Sequence, residues 1–130
     1  MVAEDGSMFR AVLTRLLHER GYDVETAPDG ASALARLTSP GPRPFDLLIA
    51  DVVMPSLGGR ELVERMRQRL PAPPPVVFMS GDVRPAPDDP PGTLGGDPIL
   101  SKPFAANDLF AAIEGVLAAP GAGEAPSPPC

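Results

Sequence analysis

The chain has 130 residues, enough for one core of ordinary size and too few for a second domain. Its formal net charge of -6 argues against a partner gripped through a phosphate backbone, because such binding needs a cationic face. The one cysteine, Cys130, excludes an internal disulfide or a cysteine metal cage; with no membrane-length apolar run and no signal-peptide pattern, a soluble cytoplasmic protein is expected.

Met1-Val2-Ala3 reads as a short first strand, followed by the acidic pair Glu4-Asp5. Met8, Phe9, Val12, Leu13, Leu16 and Leu17 then recur with helical period, with Ser7 placed as N-cap and an end near Gly21. Tyr22 to Thr26 suggests a strand closed by the turn Pro28-Asp29-Gly30, and Ala31 to Leu37 a short helix. After the loop around Pro40 to Pro44, Phe45 through Ala50 is a nearly unbroken apolar run, as expected for a strand covered on both faces, and Asp51 stands where it runs out. Leu62, Val63, Met66 and Leu70 mark another helix, and Val76-Val77-Phe78-Met79 another buried strand. Ile99-Leu100-Ser101 forms a shorter strand before a last helix lined by Leu109, Phe110, Ile113, Val116 and Leu117. Alternation of this kind predicts a parallel sheet with helices on both faces, joined by right-handed crossovers. The domain is expected over residues 1–119, with 120–130 a disordered tail rich in Pro, Ala and Gly.

In an open parallel sheet, function gathers at the carboxyl ends of the strands. Glu4 and Asp5 fall there, as do Asp51, Ser80 and Lys102. Three close carboxylates stay ionised together only around a cation, and a few carboxylates with waters and phosphate oxygens suit Mg²⁺. Phosphoryl transfer needs an in-line nucleophile and cationic or donor groups on the equatorial oxygens. Asp51 supplies the nucleophile, Mg²⁺ and Lys102 the charge, and Ser80 a donor. Lys102 itself reads as an exposed charge contributing little packing. Alone, Glu4-Asp5 would read as a solvated acidic turn, Ser80 as a strand cap, and Lys102 as a surface charge. His18 reads as surface, and Met8, Met54, Met66 and Met79 as core or loop packing rather than a metal box.

The chain resembles the receiver domain of two-component response regulators. Glu4-Asp5, Asp51-Val52-Val53-Met54-Pro55, Gly58-Gly59, Phe78-Met79-Ser80-Gly81 and Ser101-Lys102-Pro103-Phe104 carry the resemblance. It implies a flavodoxin-like, doubly wound five-stranded parallel sheet of order 2-1-3-4-5. It also implies phosphorylation of Asp51 by a histidine kinase or histidine phosphotransfer domain, and Mg²⁺ held by Asp5, Asp51 and the Val53 carbonyl with Glu4 in support. Ser80 and Lys102 would bind the phosphoryl group, supported by Gly81 and a cis Lys102-Pro103 peptide. Gly59-Arg60-Glu61-Leu62 and Phe78-Met79-Ser80-Gly81 look most like the receivers at the C-terminus of hybrid sensor kinases. A protein partner downstream is implied, whereas nucleic acid, membrane and enzymatic turnover are not.

Three features depart from the family pattern. The first strand is short. Ile99 stands where an aromatic switch residue is usual, and prolines and glycines from Pro85 to Gly96 would break the fourth helix, so a loop is expected. Ala105 stands where the last helix wants a better cap, before Asn107 and Asp108. Val53, with no hydrogen-bonding side chain, and Asp82, the one nearby group able to orient water, would set the lifetime of an aspartyl phosphate. Two alternatives remain open: a degenerate receiver serving as a binding scaffold, and an Asp-nucleophile phosphatase. The latter wants a second Asp at the position of Val53.

Overall fold

The computed structural model of the protein describes residues 1–39, 45–81 and 93–118. Its elements are β1 Val2–Ala3, α1 Ser7–Glu19, β2 Thr26–Ala27, α2 Gly30–Thr38, β3 Leu48–Asp51, α3 Gly59–Arg69, β4 Val76–Ser80, β5 Thr93–Leu94, β6 Asp97–Ser101 and α4 Ala106–Ala118. The strands form one sheet of order β2-β1-β3-β4-β6-β5. All neighbours pair in parallel except β5 and β6. The parallel part therefore has the expected 2-1-3-4-5 order, with β6 as its fifth member.

Side chains alternate across the pleat, so neighbouring residues of one strand feed opposite cores. Leu48, Ala50, Val76 and Phe78 pack with Leu34 and Leu37 of α2 and Leu62, Val63 and Met66 of α3. Ile49, Val77 and Met79 face the other way, onto Leu13 and Leu17 of α1 and Leu109, Phe110 and Ile113 of α4. β3 and β4 are buried along their whole length, which is why they read as continuous apolar runs.

The short first strand is held from both sides. The Met1 ammonium donates to Leu47 O at 3.0 Å, and Val2 N and Glu4 N donate to Glu25 O and Ala27 O. Burial lowers the pKa of that ammonium to about 6, against the opposing charges of Glu25 and Asp46.

Several expectations are corrected. Gly6, not Ser7, is the N-cap of α1 and offers no side-chain bond, so Ser7 is the first helical residue. The second strand is Thr26–Ala27 rather than Tyr22 to Thr26, because β1 presents only Val2 and Ala3 for pairing and these register with Thr26 and Ala27. β3 starts at Leu48 and includes Asp51. Met8 is 82% exposed and not packed in the core. Phe9, Leu13, Leu16 and Leu17 define the inward stripe of α1, and Met8 and Val12 fall outside it.

The largest difference lies before β6. Residues 93–96, expected as loop, form β5 and a tight turn in which Gly95 and Gly96 have φ of 60° and 90°, the left-handed backbone that a two-residue hairpin of this type demands. The sheet thus has six strands and not five. Leu94 is buried in the core beneath α2 and α3. The remainder of the expected fourth-helix loop, residues 85–92, lies outside the described residues, as do Asp82, residue 119 and the expected tail over 120–130. The Lys102-Pro103 peptide is cis, as implied.

Candidate functional site

β1, β3, β4 and β6 are adjacent and parallel through β1-β3-β4-β6, so their carboxyl ends lie along one edge. That edge collects Glu4 just after β1, Asp51 at the end of β3, Ser80 at the end of β4 and Lys102 just after β6. Glycine at position 59 lets α3 start close behind: a Cβ there would meet Asp51 O at 2.3 Å.

Asp51 is 6% exposed and both of its oxygens are engaged. Oδ1 accepts from Val53 N at 3.1 Å, and Oδ2 accepts from Lys102 Nζ at 2.5 Å. Lys102 also donates to Glu4 Oε1 at 2.8 Å, while Glu4 Oε2 accepts from Gly6 N at 2.9 Å. Arg10 of α1 pins the same turn, donating to Glu4 O at 2.8 Å. Asp5 is exposed, and carboxylate oxygens of Glu4, Asp5 and Asp51 all lie within 4.8 Å of one another.

Burial pushes the Glu4 carboxyl above its usual range; the bonds from Lys102 and Gly6 only partly oppose this, and Asp51 adds to the rise. Burial alone would lower the Lys102 ammonium, yet its bonds and attraction to Asp51 and Glu4 prevail and hold it above the ordinary lysine value. Lys102 is therefore not the exposed strand-end charge expected. Its side chain is 22% exposed and locked to two acids, because among the described residues it is the cation paired with both buried carboxylates.

Ser80 is buried, and its carbonyl accepts from Lys102 N at 2.8 Å, tying β4 to the lysine's backbone. Gly81 follows it and is exposed, as is Pro103 after the lysine. Val53 projects outward, 73% exposed, beside Asp51. His18 is on the surface as expected. The sequence pattern did not point to Phe9, whose ring centroid lies 4.7 Å from Lys102 Nζ, nor to Arg10.

Three carboxylates against one ammonium leave an excess of negative charge at an open edge. The Glu4, Asp5 and Asp51 group fits a receiver Mg²⁺ site, since hard carboxylate oxygens at this spacing suit that ion.

Comparison with known proteins agrees with this fold. The model of the response regulator receiver domain matches residues 1–114. The chain belongs to the response regulator receiver family. As a receiver it is similar to the response regulator receiver protein CpdR of Brucella abortus, at 35% identity over 92% of this chain and 96% of that one. Among solved structures it resembles the Vibrio cholerae chemotaxis protein CheY4, with TM-score 0.74 and 30% identity over 88% of this chain and 94% of that one. It also resembles the receiver domain of the hybrid histidine kinase CckA, with TM-score 0.67 and 32% identity over 88% and 94% of the two chains. The receiver spans 44% of a Mycobacterium tuberculosis transcriptional regulatory protein that it matches at 30% identity over 90% of its own length. It is thus the receiver domain of a two-component response regulator, a signalling domain with a flavodoxin-like fold.

Proposed function

We propose that Asp51 accepts a phosphoryl group from the phosphohistidine of a histidine kinase or histidine phosphotransfer domain, and that the resulting charge switches the partner interactions of the domain. The observation that carries this reading is the Lys102 ammonium bonded to Asp51 Oδ2 and Glu4 Oε1 at the carboxyl edge of the sheet. A carboxylate oxygen of Asp51 attacks phosphorus, the N–P bond of the donor breaks, and its electron pair returns to the imidazole nitrogen. The product is an acyl phosphate on Asp51.

Lys102 meets the incoming equatorial oxygens after only a short displacement, because its ammonium is already held at Asp51. The hydroxyl of Ser80 and the N–H of Gly81 would offer further donors at the end of β4. Asp5 and Asp51, with the Val53 carbonyl, would hold Mg²⁺, and Glu4 supports the site since both its oxygens are already bonded. When bound, the ion would supply positive charge to neutralise the phosphoryl oxygens. Pro103 sets the chain direction after the lysine.

A donor charged from ATP acts in the cytoplasm, where we place the domain; among the described residues no helix is long and apolar enough to cross a membrane. Similarity to CpdR supports a stand-alone setting and similarity to the CckA receiver a hybrid-kinase setting. Turnover of the phosphatase kind is disfavoured, since Val53 offers no acid or base. A scaffold reading draws support from the β5–β6 hairpin, which stands where a fourth helix is usual in the family.

Incubation with a small acyl phosphate and Mg²⁺, read by intact mass, tests the reading. Wild type should gain one phosphoryl group, with loss in excess chelator and none gained by Asp51→Asn. Equal gain by Asp51→Asn, or none by wild type, would overturn it.

A further inference from the structure

Lys102 is enclosed by more than its two acids. The ring of Phe9, in the first turn of α1, lies beneath its ammonium at 4.7 Å. Phe9 is itself fixed edge-on by Phe104, whose ring centroid is 5.7 Å away at an interplanar angle of 79°. Phe104 follows Lys102 by two residues, so the clamp joins α1 to the segment that carries the lysine. Both rings pack against the core shared by α1 and α4.

A cation over an aromatic face is attracted by the ring quadrupole, more strongly where water is partly excluded. A lysine has four flexible side-chain bonds and loses much rotamer freedom when fixed. At this site two carboxylates hold the ammonium from one direction and Phe9 closes another.

From this contact we infer that Phe9 is a positioning residue for phosphoryl transfer. Its ring holds the Lys102 ammonium over Asp51, and Phe104 holds the ring. The inference rests on the phosphoacceptor reading for its rate consequence, but the contact can be tested without it. When Asp51 gains a phosphoryl group, the ammonium must follow the new oxygens by only a short displacement. A lysine released into solvent would first have to be recaptured. Loss of the ring should therefore slow phosphorylation while leaving Asp5 and Asp51 able to bind Mg²⁺.

The experiment compares wild type, Phe9→Leu and Phe9→Tyr. Leucine keeps an apolar side chain at the contact with Phe104 and removes the aromatic face; tyrosine keeps the face. Proton and carbon NMR of the Lys102 ε-methylene supplies a signature that packing alone does not move. A ring this close should shift those protons upfield in wild type and Phe9→Tyr, and the shift should vanish in Phe9→Leu. With a small acyl phosphate as donor, Phe9→Leu should react roughly fivefold more slowly, the scale of one cation–π contact. Phe9→Tyr should recover most of that rate, and Mg²⁺ affinity should be alike in all three.

Should Phe9→Leu fail to fold, Phe9→Met keeps a flexible apolar filler without a ring and carries the same comparison. An unshifted ε-methylene in wild type, or equal rates in the leucine and tyrosine variants, overturns the inference. Failure of wild type to take up phosphate would instead sink the phosphoacceptor reading, and the NMR signature would still judge the contact.

Discussion

Lys102 Nζ and Asp51 Oδ2 lie 2.5 Å apart although β4 separates their strands in the sheet. The lysine reaches across the end of β4 at Ser80, and this crossing brings a cation to a carboxylate 51 positions away. Removing it leaves Glu4 and Asp51 buried side by side with no ammonium between them. We expect Lys102→Ala to lose on the order of 2 kcal/mol of stability in chelator, the usual penalty for a buried group stripped of its partner. Saturating Mg²⁺ should raise its melting temperature by more than that of wild type, since the ion replaces the lost charge by mass action. Its phosphorylation by a small acyl phosphate should fall by about a hundredfold. An unchanged melting temperature in chelator together with a normal rate would contradict the pairing.

Val53 is 73% exposed beside Asp51, with its N–H bonded to Oδ1 and only methyl groups toward solvent. Loss of an aspartyl phosphate needs a water in line, and that water reacts faster when a polar group orients it. Val53→Asn should shorten the phosphorylated lifetime by about tenfold, with stability changed little at so exposed a position. Decay after donor removal in excess Mg²⁺ measures it. A lifetime equal to or longer than wild type would show that Val53 does not protect the phosphoryl group.

The buried ammonium of Met1 makes the stability of this chain depend on pH in a defined sense. Its pKa is lowered to about 6 in the fold, from 8.0 when free. Between those values the unfolded chain binds more protons, so stability should rise as pH increases from 6 to 8. The gain is on the order of 2 kcal/mol. Acetylation of the amine removes the charge and should flatten that rise, with a higher melting temperature at pH 6. Parallel pH profiles for the free and acetylated chains would contradict the account.

Leu94 plugs the core from β5 at 8% exposure, beneath α2 and α3. Leu94→Ala should lower stability by about 2 kcal/mol, as expected for a buried leucine near an edge. A denaturant midpoint unchanged from wild type would mean that the hairpin does not close this core.

That hairpin marks where the sequence was least legible. Gly95 and Gly96 break a helix and also make a tight turn, and Thr93–Leu94 is too short to show an alternating pattern; the pairing of Thr93 with Pro98 and of Leu94 with Asp97 reveals the strand. β2 was misplaced for a similar reason, because Tyr22 and Val24 are apolar enough for a strand while the register belongs to β1. By contrast, β3 and β4 were legible because both faces are buried and every position is apolar until Asp51 and Ser80. Those two residues, with Glu4 and Lys102, come together as expected, since strand order alone brings their ends to one edge. Phe9 was hidden, for its apolar period explains it as core and only the rotamer of a distant lysine gives it a second contact.

If Asp51 is the acceptor, the acyl phosphate forms on its own carboxylate. Borohydride reduces an aspartyl phosphate to homoserine, so reduction after phosphorylation in Mg²⁺ followed by peptide mapping reads the position directly. Wild type should yield homoserine at position 51, lost when chelator replaces the ion and absent without the donor. Homoserine at another acidic residue, or none at position 51 despite a gain of phosphate, would contradict it.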